Sequence, residues 1–323
     1  MSHPIHQANE NSPYGDLTRE EFYQKHRIKH LESFMLNKRN MKVFTQSWRL
    51  VPDPDDHDKG NISPTLRGLV AMVHGYAMDS KWLFELTAIA IAKCGFLVCA
   101  LDLQGHGLSD GFPGHIPNVE CVIEDCIQFF DSIKFENPKL PAFLYGESLG
   151  GAIATLICLN QKNEWDGLIL NGAMLGISPK FKPAGAWLLP VAAFLAPTWK
   201  VAPVKPNASK FYKEEWKRKL AAKNPNRRTS RKPTTATALQ FLRLCECIRL
   251  RCHELELPLL IVHGEDDRVC DCSSARLVYE SAGSHDKTFK SFPGMAHMLI
   301  GETEENVELV FGTIFAWLKD RGA

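Results

Sequence analysis

The sequence predicts an α/β fold, a mostly parallel, doubly wound sheet into which a helical lid is inserted. Three observations lead to this prediction. Apolar, strand-like runs alternate with helix-like segments over 67–171, a pattern typical of parallel sheets with helices on both faces. A glycine-rich turn at Ser148 joins a strand directly to a helix. The strand pattern is lost over 174–250 and resumes after it.

The front half of the chain supplies an N-terminal arm and the first strands. We expect a charged, amphipathic helix or extended arm at 17–36 and the first strand at 41–51. The acidic, proline-containing stretch 51–61 is typical of a solvated turn rather than a metal site. The alternating elements then follow as strand 67–73, helix 80–94, strand 96–101, helix 118–134, strand 141–145, helix 148–160 and strand 166–171.

The part that lacks strands is predicted to be a helical lid. Its stretch 183–199 is apolar and broken by prolines, 200–232 is strongly basic, and 235–244 is helical in character. Packing within the lid is the simplest role for the apolar stretch; lining an acyl or aryl pocket and resting on a membrane surface are the alternatives. We therefore divide the chain into an arm (1–40), an α/β core (41–173 and 251–323) and a lid insertion (174–250).

Ser148 is the candidate nucleophile. It lies in the pentapeptide Gly-Glu-Ser-Leu-Gly at 146–150, between a predicted strand and a predicted helix. A Gly-x-Ser-x-Gly turn in this setting lifts the serine hydroxyl above the sheet edge in a strained backbone conformation. The glycines are needed because a Cβ at their positions would collide with the neighbouring strand and helix.

A serine hydroxyl needs a base, which is itself oriented by an acid, and both follow in the order Ser, acid, His. Strand 257–264 leads into Glu265, Asp266 and Asp267, and strand 287–292 leads into His297. Loops after two late strands face the carboxyl edge of the sheet, so we assign His297 as the general base. His263 ends a strand and is interpreted as structural.

The oxyanion hole is expected from backbone amides. Leu149 follows the nucleophile, and Tyr76 follows the early strand 67–73, so their N–H groups are the two predicted donors. His74 is interpreted as a brace of this loop. Asp102 is interpreted as fixing the turn that contains His106, and Asp110 and Asp125 are not competitive as the triad acid.

Composition excludes several classes of protein. The chain has 323 residues, is 45% hydrophobic and has a formal net charge of +1, so it carries no global basic field for nucleic acid. The N-terminus has no apolar signal-peptide core, and no apolar run is long enough to span a bilayer. We expect a cytoplasmic protein, with contact between the lid and a membrane as the alternative to a wholly soluble one.

No metal or other cofactor is expected. The ten cysteines lie mostly within predicted elements and are typical of buried apolar side chains in a reducing compartment. A zinc site at Cys245, Cys247, Cys252 and His253 is disfavoured, because Cys-x-Cys on a helix points the thiols to nearly opposite faces. The glycine-rich loop at 105–110 lacks the Lys-Ser/Thr ending and the immediate helix of a phosphate-binding loop.

Five motifs in register resemble the monoacylglycerol lipase family of α/β-hydrolases, nearest its plant branch of caffeoylshikimate esterase-like and lysophospholipase-like proteins. The resemblance implies that Asp267, the aspartate three residues after Gly264, is the triad acid rather than Asp266. The motifs begin at residues 74 (His-Gly-Tyr), 102 (Asp-Leu-Gln-Gly-His-Gly), 146 (Gly-Glu-Ser-Leu-Gly-Gly), 264 (Gly-Glu-Asp-Asp-Arg-Val) and 294 (Gly-Met-Ala-His).

Two departures from the animal lipases concern the substrate. Met78 and Ile300 stand where those lipases have an acidic residue and a second histidine, polar groups associated with holding glycerol. Aromatic and apolar side chains are available instead, and we name Met78, Trp82 and Trp187 as candidate substrate contacts.

We therefore predict a serine hydrolase that cleaves a carboxylic ester of a small amphipathic substrate through an acyl-enzyme. A monoacylglycerol, a lysophospholipid and a phenylpropanoid ester are the candidate substrates. An acyltransferase with the same triad and a non-catalytic ligand-binding protein are the alternative functions, because a fold does not fix a function.

Overall fold

The core of the protein is one eight-stranded sheet, seen in a computed structural model that describes residues 2–52, 65–178, 185–201, 211–228 and 232–322. The strand order is β1-β2-β4-β3-β5-β6-β7-β8; β2 pairs antiparallel with β1 and β4, and the other neighbours are parallel. This confirms the predicted mostly parallel sheet. The strands are β1 (Ile28–Leu36), β2 (Lys42–Leu50), β3 (Leu69–Val73), β4 (Leu97–Leu101), β5 (Ala142–Glu147), β6 (Gly167–Asn171), β7 (Leu259–Gly264) and β8 (Lys287–Phe292).

Helices cover both faces of the sheet. Alternate residues of β3 belong to two separate hydrophobic clusters: Ala71 to the one that includes side chains of α3, α4 and α8, and Val70 to the one that includes side chains of α2 and α9. A strand buried on both faces needs apolar side chains throughout, which explains the uninterrupted apolar runs in the sequence. The helices are α1 (Arg19–His26), α2 (Trp82–Lys93), α3 (Val119–Glu136), α4 (Leu149–Asn160), α5 (Leu189–Leu195), α6 (Glu215–Ala222), α7 (Thr235–Arg251), α8 (Cys272–Ser281) and α9 (Glu304–Arg321).

The N-terminal region differs from the expected arm. Helix α1 ends at Arg27, which has a φ of 54°, and residues 28–36 then form edge strand β1 along the whole of β2. The strand expected to be first, at 41–51, is therefore the second. Most of β1 is exposed, so its sequence lacks the apolar alternation of a half-buried strand, and its pairing with β2 decides its conformation.

Between β6 and β7 lies the segment 172–258, which we call the insert. Its described residues form helices α5, α6 and α7 and contain no strand. Helix α7 packs on the core through Leu244 and Ile248, and α5 packs on α7. The predicted turn at 51–61 falls, from residue 53 on, outside the described residues.

Candidate active site

Ser148 lies at the turn between β5 and α4, in a backbone conformation with a φ of 53° and a ψ of −119°. The turn is tight because Gly146 and Gly150 have no room for a side chain. A Cβ on Gly146 would lie 2.4 Å from the Gly150 carbonyl oxygen, and a Cβ on Gly150 would lie 2.0 Å from that of Val73. The predicted steric reason for the glycines is therefore confirmed, and the turn presents Ser148 at the carboxyl edge of the sheet.

The structure brings Ser148, His297 and Asp267 into one chain of hydrogen bonds. The Oγ of Ser148 lies 3.1 Å from Nε2 of His297, and Nδ1 of His297 lies 2.7 Å from Oδ2 of Asp267. These residues come from loops after β5, β8 and β7, which end at the same edge of the sheet. The three side chains are 30 to 149 residues apart in the sequence, and only the sheet brings them together.

Asp267, and not its neighbour Asp266, faces the histidine. Its Oδ1 accepts hydrogen bonds from the backbone N–H groups of Val269 (2.8 Å) and Cys270 (3.0 Å), which fixes the carboxylate plane. Asp266 is exposed. Burial opposes ionisation of Asp267, but the proximity of His297 and the hydrogen bonds from the two nearby histidines outweigh it and hold its pKa well below the usual value.

His263 is a second histidine beside the acid. Its Nε2 lies 3.3 Å from Oδ2 of Asp267 and 3.4 Å from the carbonyl oxygen of Cys270. Two acceptors at one nitrogen identify Nε2 as the protonated nitrogen of the ring. The structural interpretation of His263 is thus correct, and the structure adds its contact with Asp267, which the sequence did not indicate.

Both residues predicted as oxyanion donors belong to segments next to Ser148. Leu149 is the first residue of α4, where a backbone N–H has no acceptor within the helix. The strand β3 ends beside the serine, since a Cβ on Gly75 would lie 3.2 Å from Cβ of Ser148. Tyr76 follows directly, and its hydroxyl donates to the carbonyl of Gly114 at 3.1 Å, which anchors this loop.

Two interpretations of bracing residues are confirmed by hydrogen bonds. Nε2 of His74 accepts from the N–H of Leu103 at 3.0 Å, and its Nδ1 lies 2.8 Å from the carbonyl of Gly75. Burial lowers the pKa of His74 to about 4, in agreement with a neutral ring. Asp102 accepts from the N–H of Leu108 at 2.7 Å, which fixes the turn that contains His106, and from the N–H of Ser80 at 2.7 Å, which ties this turn to the segment before α2.

A buried polar network behind the site was missed by the sequence analysis. Glu147 is 5% exposed and accepts a hydrogen bond of 2.5 Å from the hydroxyl of Tyr145. Asn171 donates to the same hydroxyl at 2.7 Å. Burial raises the pKa of Glu147 to about 7, although these donors and His297 oppose the shift. A glutamate within an otherwise apolar strand was the available signal.

The cleft that opens above Ser148 is mostly apolar. Met78 and Trp82 line it, as expected, and the Trp82 indole N–H donates to the carbonyl of Leu220 in α6 at 2.8 Å. Trp187 is not among the residues that line the cleft and is 80% exposed, so its contact with substrate stays a prediction. Further lining side chains are Phe84, Met174, Ile177, Leu189, Phe211, Phe241, Val269 and Met298.

Two of the four residues considered for a zinc site, Cys245 and Cys252, contact backbone carbonyls. The thiols of Cys245 and Cys252 lie 3.5 Å from the carbonyls of Met174 and Arg249, respectively. Among the described residues, the group with metal-ligand spacing is Asp267, Cys270 and His297, whose ligand atoms lie within 4.8 Å of one another. Asp267 and His297 are already joined by their hydrogen bond.

Comparisons with known proteins agree with this geometry. Residues 64–304 match the family described as serine aminopeptidase, S33 (Hydrolase_4). The caffeoylshikimate esterase of Arabidopsis thaliana is 33% identical over 314 residues, which cover 95% of this chain and 91% of the relative. The monoglyceride lipase of Homo sapiens is 29% identical over 264 residues, which cover 80% of this chain and 84% of the relative.

Solved structures share the fold. A soluble variant of the monoglyceride lipase from Saccharomyces cerevisiae, solved with a substrate analog, has a TM-score of 0.77 at 20% identity, over 90% of this chain and 95% of that one. The family match and the two curated relatives confirm the resemblance to the monoacylglycerol lipase family. The chain belongs to the serine aminopeptidase S33 family, and it is a serine ester hydrolase with the α/β-hydrolase fold.

Proposed function

We propose that Ser148, His297 and Asp267 are the catalytic triad and that they cleave a carboxylic ester of a small amphipathic molecule. The observation that carries this proposal is the continuous hydrogen-bond chain from the Ser148 hydroxyl to the buried Asp267 carboxylate at the floor of an apolar cleft. A nucleophile, a base and an orienting acid within hydrogen-bond distance are the arrangement that activates a serine.

The geometry supports a two-step mechanism. The Ser148 oxygen attacks the ester carbonyl carbon while its proton passes to Nε2 of His297. That proton then goes to the departing alcohol as the carbon–oxygen bond breaks, leaving the acyl group on Ser148. A water molecule, deprotonated by the same nitrogen, attacks the acyl-enzyme and releases the acid with the serine restored.

Asp267 acts through the histidine. Its ionised carboxylate, held by two backbone N–H groups, keeps the Nδ1–H of His297 in place and stabilises the imidazolium that forms during each step. The backbone N–H groups of Leu149 and Tyr76 are the proposed donors to the carbonyl oxygen as it becomes negative. Loss of such a donor typically reduces kcat by about 10²–10³.

The lining of the cleft favours an apolar acyl or aryl group. Met78 lines the cleft, and Ile300 lies in a small pocket that adjoins Ser148 and His297; neither offers a polar side-chain partner to the hydroxyls of a glycerol head. Each unmade hydrogen bond costs about 1–3 kcal/mol, which is enough to reduce the preference for monoacylglycerol tenfold. We propose medium-chain or phenylpropanoid esters, such as a caffeoylshikimate-type ester, as substrates at least as good as monoacylglycerols or lysophospholipids.

The insert is proposed to act as a lid that contacts a membrane or micelle. Helix α5 and its flanks carry large apolar side chains on the surface, among them Trp187, Phe194, Leu195 and Trp199, each at least 73% exposed. Patches of this kind mark binding surfaces. None of the described helices is long and apolar enough to cross a membrane. Free cysteines throughout the described chain support a reducing, cytoplasmic location.

The substrate proposal is tested by kcat/KM for a monoacylglycerol, a lysophospholipid and a p-coumaroyl ester under one set of conditions, with free acid counted. A preference above about a hundredfold for the monoacylglycerol would contradict the argument from Met78 and Ile300.

Hydrolysis is separated from the two alternative functions in the same assay. Repeating it with added acceptor alcohols distinguishes hydrolysis from acyl transfer, because transfer yields a new ester instead of free acid. Binding of the esters without turnover would indicate a non-catalytic ligand-binding protein.

A further inference from the structure

The cleft has one cation that no carboxylate of the described chain neutralises. Arg227, in the insert after α6, lines the same cleft as Ser148 and His297. It forms no ion pair with any residue in the described ranges. An unpaired guanidinium in a mostly apolar cleft is a binding group for an anion, since its fork of N–H donors matches carboxylate and phosphate oxygens.

Neighbouring cations already have partners. Lys81 also lines the cleft, but its Nζ lies 3.0 Å from a carboxylate oxygen of Glu32. Arg228 donates to the carbonyls of Ser109 (2.6 Å) and Gly111 (3.3 Å) in the core. Because Arg228 is bonded to the core, the loop that carries the unpaired guanidinium of Arg227 is anchored there.

The acid in the cleft does not cancel this charge. Both carboxylate oxygens of Asp79 are occupied, one by the side-chain amide of Asn224 (2.6 Å) and the other by the N–H of Lys81 (3.0 Å). Burial, together with the nearby carboxylate of Asp102, raises the pKa of Asp79 to about 7. The raised pKa weakens the negative charge of Asp79 near neutral pH, and its two oxygens are already engaged, so Arg227 gives this end of the cleft a positive character.

We propose that Arg227 recognises an anionic group, a carboxylate or a phosphate, on the part of the substrate remote from the scissile ester. The preferred substrate class is then an ester with an apolar acyl or aryl part and an anionic end. This inference rests on the proposed function and makes it more specific. Because Arg227 is only partly buried, we expect a preference of about tenfold, as for a charge-assisted hydrogen bond at a partly hydrated site.

The test compares two matched ester pairs on the intact chain. In the first pair, p-coumaroyl esters of 3-hydroxycyclohexanecarboxylic acid and of its carboxamide differ only in the charge. In the second pair, lauroyl glycerol 3-phosphate is compared with lauroyl glycerol. The pair that shows the larger preference distinguishes a carboxylate from a phosphate ligand.

Arg227→Gln should lower kcat/KM for the anionic member about tenfold more than for its neutral partner, mainly through KM. Arg243→Gln removes the same charge from an exposed position of the insert outside the cleft lining and should preserve the preference. Equal losses on both members with Arg227→Gln, or no preference in the parent protein, would overturn the proposal.

A binding measurement separates this inference from the proposed function. Titration of the same esters into Ser148→Ala, with and without Arg227→Gln, reports recognition without turnover. Turnover that survives in Ser148→Ala, with the anionic preference in binding retained, would contradict the catalytic proposal alone. Turnover without that preference would contradict the role of Arg227 alone.

Discussion

The ammonium group of Lys217 donates a hydrogen bond of 2.6 Å to the backbone carbonyl of Glu302. It donates a second one of 3.0 Å to the carbonyl of Ile300, and the residue is only 2% exposed. The carboxylate of Glu302 in turn accepts from the N–H of Ala296 at 2.7 Å, immediately before His297. Helix α6 of the insert is thereby bonded to the loop that carries the histidine.

Lys217→Met should therefore disturb the histidine as well as the stability. The change leaves two buried carbonyls without a donor, which costs about 1–3 kcal/mol for each unsatisfied group. We expect a lower melting temperature, a fall of about tenfold in kcat at constant KM, and a shifted acid limb of the pH–kcat/KM profile. Lys219→Met, on the same helix but exposed and paired with Glu10, is the control and should change little. If the variant loses stability but its pH–kcat/KM profile is unchanged, Lys217 has a structural role only.

Ser148→Ala should abolish labelling by a fluorophosphonate probe, followed by gel fluorescence. Turnover of a p-coumaroyl ester should fall by about 10⁶, because members of a triad act as a unit. Ser80→Ala removes a buried hydroxyl that is bonded to Asp102 instead of to the histidine, and it should keep the label. Labelling that survives in Ser148→Ala would move the nucleophile elsewhere.

The adjacent acids should differ sharply. Asp267→Asn should reduce kcat by about 10⁴, as loss of the orienting acid does in serine proteases. Asp266→Asn is the matched control, because Asp266 is exposed and has no contact with the imidazole; its kcat should stay within about twofold of the parent. Steady-state kinetics on both variants measure these effects. A larger loss of kcat in Asp266→Asn than in Asp267→Asn would contradict the observed orientation of Asp267.

Glu147→Gln should change how stability depends on pH. The folded-state pKa of about 7 lies above the usual 4.5, so the folded protein binds this proton more tightly than the unfolded chain between those values. The stabilising contribution is present below pH 4.5 and is lost as the pH rises through 7. The variant, which cannot ionise, should gain stability relative to the parent from about pH 5 to pH 8, by on the order of 2–3 kcal/mol.

Thermal unfolding at several pH values measures this gain. Glu164→Gln removes one exposed carboxylate from the core surface and serves as the control. A stability difference between Glu147→Gln and the parent that stays constant across this range would show that Glu147 is already ionised at low pH.

The apolar surface of α5 should govern association with lipid. Phe194→Ser should weaken binding to phosphatidylcholine vesicles about tenfold or more, because full burial of a phenylalanine side chain is worth about 1.5–3 kcal/mol. Phe135→Ser is a matched control, since both phenylalanines are 86% exposed and Phe135 belongs to α3 of the core. Vesicle sedimentation measures the binding, and equal effects of the two changes would contradict contact through the insert.

The turn at Ser148, most strands of the sheet and the triad residues could be predicted from short sequence patterns. The glycines around Ser148 indicated the turn because no other residue fits so close to the backbone of Val73. Strand β8 at Lys287–Phe292 and the alternation from β3 to β6 followed from side-chain periodicity. The order of serine, acid and histidine then placed all three at one edge of the sheet.

The choice between the two candidate acids depends on contacts between segments that are distant in the sequence. Asp266 and Asp267 are identical in type and adjacent, and from the residues alone either could be the acid. The backbone N–H groups that fix Asp267, and its approach to His297, exist only in the folded loop.

Other side chains depended on tertiary contacts in the same way. Pairing with β2 made a strand of the exposed residues 28–36, and packing left Trp187 outside the cleft. The bonds from Lys217 to the histidine loop cross more than eighty residues of chain. Sequence periodicity reports which face of an element is buried, whereas the partner of a buried polar group is set by three-dimensional proximity, which no local pattern encodes.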